Sequence, residues 1–354
     1  MTAIPQTMKA AVLVPGNNEL VLQDVPVPVP GPKQVLLKVA AAGVCHSDTF
    51  LLSATLPDTR TYIPGHENVG YAVKVGAEVA GITVGQLYGI YDAVPCAATA
   101  NMSASLTSVG IGVNGGFAEY IVVDPSELVP VPSGLAPEVA SVASDALLTA
   151  FTAVHRVAEL GPGTTKSVLI YGCGGLGHLA VQLALYYGAT VYVCDFKPAA
   201  RELALKLGAK QAFDLQDLTS VTSAGTFTVD IVIDFVANEQ SFTLGKAALH
   251  GHAFAMGGTE PAGRLVLVGF TTDQLSLSSI DLILWRTNVL SVLYGTIDNM
   301  KICLNLLAEG IVKPVITTEP LQSVNRILDG LKAAEGDLVG RRIIVPGLLT
   351  PPPA

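Results

Sequence analysis

The chain has 354 residues, enough for two domains with cores of their own; half are hydrophobic, 14% are charged and 35 are glycine, which fits a compact α/β enzyme and excludes a disordered chain. A net charge of −9 and a pI near 5.1, with no basic run, exclude nucleic acid as a partner, because a phosphate backbone needs clustered Lys and Arg. The mean hydropathy is +0.51, yet no apolar run of about 18 residues escapes Gly, charge or polar interruption, so no membrane span is expected.

The start, MTAIPQTMKAAVLV, lacks the charged opening, apolar core and cleavage site of a secretory signal. MKAAVLV predicts a strand, Pro15-Gly16-Asn17-Asn18 a turn, and ELVLQDVPVPVP a returning edge strand and proline-stiffened loop. Residues 33–42 alternate as a third strand, which delivers Gly43 and then Cys45 to its end. Asp48 and the following TFLLSA open a short helix. Gly65-His66-Glu67-Asn68-Val69-Gly70 puts an imidazole and a carboxylate on a short turn between glycines. Residues 69–91 carry β-rich runs punctuated by Gly76, Gly81, Gly85 and Gly89, the pattern of a small curled antiparallel barrel. Residues 115–123 give another turn and strand. Pro137 starts a helix that spans residues 138–149, with Asp145 inside it.

From Ser167 the pattern changes. SVLIYG is an apolar strand that stops at glycines, residues 178–187 a helix, ATVYVCDF a second strand and residues 198–208 a second helix. FTVDIVIDFVA, GRLVLVGF and VLSVLYG supply further strands. Buried runs alternating with helices predict a parallel, doubly wound sheet. KICLNLLAEG reads as a helix, and GRRIIVP as a strand returning to the first domain. Five scattered cysteines (Cys45, Cys96, Cys173, Cys194 and Cys303) show no framework spacing, so a reduced, cytoplasmic protein is expected.

Gly172-Cys173-Gly174-Gly175-Leu176-Gly177 fits G-x-G-x-x-G. It follows an apolar strand, opens a helix, and is succeeded by a strand that ends at Asp195, 18 residues beyond the last glycine. That context makes it a dinucleotide site, with the pyrophosphate at the helix N-terminus. Asp195 suits the ribose hydroxyls and would repel a 2′-phosphate, which favours NAD(H) over NADP(H); Lys197 and Arg201 close behind keep NADP(H) open.

Cys45-His46-Ser47-Asp48, His66-Glu67 and Asp145 supply a thiolate, an imidazole and a carboxylate, a set that suits a catalytic zinc with one open position. Each also has a plain reading: Cys45 as a small buried hydrophobe, Asp145 as a helix-surface charge, His-Glu as a solvated turn.

With MKAAVL, G-V-C-H-S-D, G-H-E, the Asp145 segment, G-C-G-G-L-G and G-R-R-I-I-V in this order, the chain resembles the zinc-type alcohol dehydrogenases of the medium-chain dehydrogenase/reductase superfamily over nearly its whole length. The resemblance implies an α/β protein: a GroES-like β-barrel catalytic domain from residues 1–147 and 295–354, and a Rossmann NAD-binding domain at 148–294. It implies reversible hydride transfer between NAD and a small alcohol, aldehyde or ketone, with zinc as Lewis acid on the substrate oxygen. Cys45, His66 and Asp145 would be the zinc ligands and Glu67 a transient ligand or close neighbour. Asp48 would orient His66, Ser47 would take the alcohol proton, and His46 would meet the cofactor phosphates. Gly172, Gly174, Gly175, Leu176, Gly177, Asp195, Arg201 and Arg341 would hold the dinucleotide. Thr149 and the run Leu267-Val268-Gly269-Phe270 would face the nicotinamide. The resemblance also implies a homo-oligomer, dimer or tetramer, paired through the strand near residues 289–293.

Two departures stand out. Many relatives carry a second zinc on four cysteines; Cys96 fits the first position, but Thr99, Met102 and Gly110 occupy the others. One catalytic zinc per chain and no structural zinc are therefore expected. Phe50 stands where several alcohol dehydrogenases have a proton-passing His, and with Leu56, Trp285 and Leu293 it suggests a partly apolar pocket. Two other readings compete: a zinc-free NADPH-dependent enone or quinone reductase of the same superfamily, and a non-catalytic nucleotide-binding or lens-type protein.

Overall fold

The computed structural model describes residues 3–52, 60–91, 107–249, 263–333 and 339–348. Six strands, Ser167–Tyr171, Thr190–Cys194, Gln211–Phe213, Ile231–Asp234, Gly263–Leu267 and Thr287–Ser291, form an all-parallel sheet. Their spatial order is third, second, first, fourth, fifth, sixth. The chain thus winds outward from Ser167–Tyr171 in both directions and leaves a crevice beyond the carboxyl ends of the first and fourth strands, where such sheets bind ligands.

Strand alternation assigns the two faces. Val168, Ile170, Val191, Val193, Ile231 and Ile233 point into one core, with the helices Ala146–Phe151, Gly177–Tyr187 and Ile297–Ala308. Leu169, Tyr171, Cys194, Val232 and Leu265 point into the other, with Phe242 and Leu249 of the helix Glu239–Leu249. Each large side chain so buried contributes about 1.5–3 kcal/mol, and this double covering explains the continuous apolar runs.

A second, seven-stranded sheet runs Ile316–Glu319, Arg341–Ile344, Val35–Val44, Glu67–Val75, Leu87–Ile90, Leu128–Pro130, with Tyr120–Val123 pairing to Val35–Val44. Thr7–Val12 and Val21–Pro26 form a separate antiparallel pair. The C-terminal strand does return to the first domain, pairing with Val35–Val44 in this second sheet: Arg342 faces Val44 and Ile343 faces Gly43. On the other side of the same strand, Gly43 faces Glu67. These registers carry Cys45, His66 and Arg341 to one end of the sheet.

Two sequence expectations need correction. Glu67 is not on a turn but is the first residue of a strand. The single helix over 138–149 is broken into Pro137–Ala140, a 3-10 turn Ser141–Ala143 and Ala146–Phe151, followed by a π-helical Thr152–Val157. Asp145 sits at the break with φ −136° and ψ −69°, outside the helical region. Its carboxylate is bonded across the molecule to Arg341, and the residue is buried.

Candidate active site

Three elements that are far apart in sequence meet here. Cys45 follows the strand Val35–Val44, His66 precedes the strand Glu67–Val75, and Asp145 opens the helix Ala146–Phe151. One ligand atom from each of Cys45, His66 and Asp145 lies within 4.8 Å of the others. His66 is buried, with Nε2 3.3 Å from Ser47 Oγ and 3.7 Å from Asp145 Oδ2. Its Nδ1 stands 3.1 Å from Asp48 Oδ1, too poorly aligned for a full hydrogen bond. The other Asp48 oxygen accepts from the Cys45 N–H at 2.9 Å, so one buried carboxylate braces both the thiol-bearing and the imidazole-bearing segments.

Charge explains the rest. Burial opposes a proton on His66, but Tyr294, Asp48 and Asp145 outweigh it and raise its pKa well above the ordinary value. Burial likewise pushes the Asp145 carboxyl up, yet the hydrogen bond to His66 and the charge of Arg341 overcome it and hold that carboxyl well below the carboxylate range. The pocket therefore favours positive charge. Glu67 is fully buried; burial raises its pKa to about 7, against the pull of Arg341. Arg341 Nε donates to Glu67 Oε2 at 2.9 Å, and Nη2 reaches both Glu67 and Asp145, the latter at 2.6 Å. Glu67 Oε1 has no hydrogen-bond partner. A soft thiolate, an imidazole and a hard carboxylate at this spacing fit a four-coordinate zinc with one position left for substrate.

The glycine turn Gly172–Gly177 lies beside this cluster. Gly172 takes φ +88°, and a Cβ on Gly177 would stand 1.8 Å from the Gly172 carbonyl oxygen, so both positions require glycine. Asp195 accepts from the Cys173 N–H and the Lys197 N–H, each at 2.8 Å. Arg201 donates through Nη1 to the carbonyls of Asp195 and Phe196. Arg341 packs against Gly175, where an added Cβ would stand 3.1 Å from Nη1.

Other expected residues take places of their own. His46 is exposed; partial burial and the nearby cations Arg341 and Lys197 lower its pKa. Thr149 is buried and its hydroxyl donates to Asp145 Oδ1 at 3.3 Å. The strand Gly263–Leu267 ends before Val268, and the N–H groups of Val268 and Gly269 both bond the Asp234 carbonyl. Phe270 is 56% exposed and meets Phe50 edge-on with ring centroids 5.0 Å apart. Cys96, Thr99, Met102 and Leu56 lie outside the described residues. The sequence reading passed over Tyr294, whose ring stands edge-on to His66 at 6.3 Å with φ +53°. It also passed over the contact of Arg341 with both carboxylates, which no local pattern signals.

Residues 31–133 match the alcohol dehydrogenase GroES-like domain and residues 175–309 match the zinc-binding dehydrogenase domain. The chain is 31% identical to an alcohol dehydrogenase of Rhizobium meliloti, over 96% of this chain and 98% of that one. This chain belongs to the zinc-type medium-chain dehydrogenase/reductase superfamily. Within it, the chain is 28% identical to the D-arabinose 1-dehydrogenase (NADP(+)) of Saccharolobus solfataricus, over 96% of this chain and 97% of that one. The acetophenone reductase of Geotrichum candidum, solved with NAD, superimposes with a TM-score of 0.81 at 28% identity, covering 97% of this chain and 98% of that one. The mixed α/β fold of this superfamily, a Rossmann-type parallel sheet with a GroES-like unit, is the fold described above. Among the described residues, no helix is long and apolar enough to cross a membrane.

Proposed function

We propose that this member of the superfamily is a zinc-dependent alcohol dehydrogenase or carbonyl reductase that moves hydride reversibly between a small alcohol and NAD. The observation that carries the reading is the convergence of Cys45, His66 and Asp145 within 4.8 Å beside the glycine turn. These three side chains would hold one zinc per chain. Zinc there would supply Lewis acidity toward the substrate oxygen. Asp48 orients the His66 ring, and Glu67, held by Arg341, stands next to the ligand set. Ser47 takes the alcohol proton, its Oγ lying beside His66 Nε2 at 3.3 Å. Phe50 cannot pass that proton on, so the route runs from Ser47 to solvent past the exposed His46.

On the cofactor side, Gly172, Gly174, Gly175, Leu176 and Gly177 cradle the pyrophosphate, with His46 and Arg341 as cations nearby. Asp195 receives the ribose hydroxyls, with Arg201 fixed behind it, and favours NAD. Thr149, Val268, Gly269 and Phe270 border the nicotinamide. The catalytic unit comprises residues 1–147 and 295–354, and the NAD-binding unit 148–294. The protein acts in the cytoplasm as a homo-oligomer. Support for self-association is the strand Thr287–Ser291 at the sheet edge, beside the exposed Ile280, Leu282, Ile283 and Leu284.

The test is direct. The zinc-loaded protein is given NAD and a panel of primary and secondary alcohols, then assayed again after chelation. Turnover that disappears with the metal, at one zinc per chain, is the expected result. Enone or quinone reduction with NADPH that ignores the chelator would refute it.

A further inference from the structure

His178 opens the helix Gly177–Tyr187 and is fully buried, directly behind the glycine turn. Main chain holds both of its ring nitrogens. Nε2 lies 3.1 Å from the Val315 N–H, and Nδ1 lies 2.8 Å from the Gly174 carbonyl. A backbone N–H can only donate, so Nε2 must be the bare nitrogen. The ring proton is therefore on Nδ1 and is donated to Gly174. Burial pushes the imidazole pKa down to about 4, with the charge of Arg341 acting the same way, so this neutral tautomer persists at ordinary pH.

One helical turn on, Gln182 takes the same stretch of chain. Its Oε1 accepts from the Lys313 N–H at 2.8 Å, and its Nε2 donates to the Lys313 carbonyl at 3.1 Å. Residues 313–315 run into the strand Ile316–Glu319, which pairs with Arg341–Ile344. The Val315 carbonyl accepts from the Arg341 N–H at 2.8 Å. Two side chains of one helix thus grip the segment that carries Arg341's strand.

The grip also acts on the turn. The Gly174 carbonyl accepts from the His178 N–H at 3.2 Å as well as from the His178 ring. In a planar trans peptide the N–H points opposite to the C=O. Fixing the Gly174 carbonyl toward the helix therefore aims the Gly175 N–H outward, where an anion at the helix start would sit.

We propose that His178 and Gln182 form a clip that fixes the pyrophosphate turn relative to Arg341, and that they are positioning residues for dinucleotide affinity rather than for the hydride step. The proposal rests on the reading of Gly172–Gly177 as the dinucleotide site. His178 acts through Gly174 and, by way of Val315, on Arg341, and Gln182 acts through Lys313 on the same segment.

The holoenzyme tests it with three variants. His178→Asn keeps a donor for Gly174 but is too short for Val315, and His178→Gln keeps an acceptor for Val315 but loses Gly174. Gln182→Ala removes the second grip from a half-buried side chain, so it remains informative if the buried variants do not fold. NADH binding is followed by fluorescence, and kcat is measured at saturating coenzyme with the best alcohol of the panel. Both His178 variants should raise the NADH Kd at least fivefold and Gln182→Ala at least twofold, with kcat within twofold of wild type. Wild-type Kd in folded variants, or a fall in kcat with Kd unchanged, would overturn the clip while leaving the dinucleotide site intact. Wild-type protein that binds no NADH would instead remove the site reading, and the clip with it.

Discussion

Exchanging His178 for Asn should change how stability depends on pH, in a direction set by the buried ring. Burial pushes the His178 pKa down to about 4 from an ordinary 6.5. The folded state therefore holds the ring neutral over a range in which the unfolded chain would protonate it. The associated stability is fully present above the unfolded pKa and is lost as pH falls toward the folded one. At about 1.4 kcal/mol per pH unit the whole effect is about 3 kcal/mol, of which about 2 kcal/mol is gone by about pH 5. Asn does not titrate, so the stability gap between wild type and His178→Asn should be widest near pH 7.5 and close as the solution is acidified. Denaturant unfolding of both proteins across pH 7.5 to 5 reads this difference, and the carboxylates common to both cancel. A gap that stays constant over that range would mean the ring is not held neutral in the folded protein, and the tautomer assigned from Val315 and Gly174 would be wrong.

Asp145→Asn keeps the shape of the side chain but removes the charge; zinc content by metal analysis should fall, and alcohol oxidation should drop on the order of 100-fold. Arg341→Met leaves Glu67 and Asp145 buried without their cation, and should cost about 3–5 kcal/mol in denaturant unfolding. Gly177→Ala forces a methyl to 1.8 Å from the Gly172 carbonyl oxygen, so NADH binding measured by fluorescence should be lost. Ile283→Glu puts a charge on a side chain that is 71% exposed beside the sheet edge, and sedimentation should show a shift from oligomer to monomer.

The parts of this protein that were legible in its sequence are those whose causes are local. The glycine turn is written within six residues, because a strand, a tight turn and a helix start need glycines at fixed offsets. Five of the six strands of the parallel sheet are legible as apolar runs, whereas the short edge strand Gln211–Phe213 buries only Phe213 and carries no such run. Asp145 was found as a residue but misplaced as structure: at the break in the helix its carboxylate is bonded to Arg341, 196 positions away, and no window of neighbouring residues contains that contact. The helix Leu215–Ser223 went unread because its sequence, LQDLTSVTS, buries only Leu218 and so carries little periodicity. Its start is marked instead by Asp214, whose side chain accepts from the Asp217 N–H at 2.8 Å. The strand expected to run through Phe270 ends instead at Leu267, and the Phe270 ring meets Phe50, a contact between distant segments that no local pattern carries.

Arg341 shows why two sites that look separate in the sequence are one in space. Its bonds to Glu67 and Asp145 use Nε and Nη2, whereas Nη1 lies on the side of Gly175. A planar guanidinium carries five N–H donors in a fixed fork, so one edge can hold two carboxylates while the other faces an anion. A lysine ammonium is a single compact charge on a flexible stem and could not span both. The backbone of the same residue is tied through Val315 to His178, and so to the turn itself. Hydrogen bonds and the covalent chain of Val315 and Arg341 thus connect the turn to Asp145, a carboxylate of the proposed zinc set, so the two places share one support.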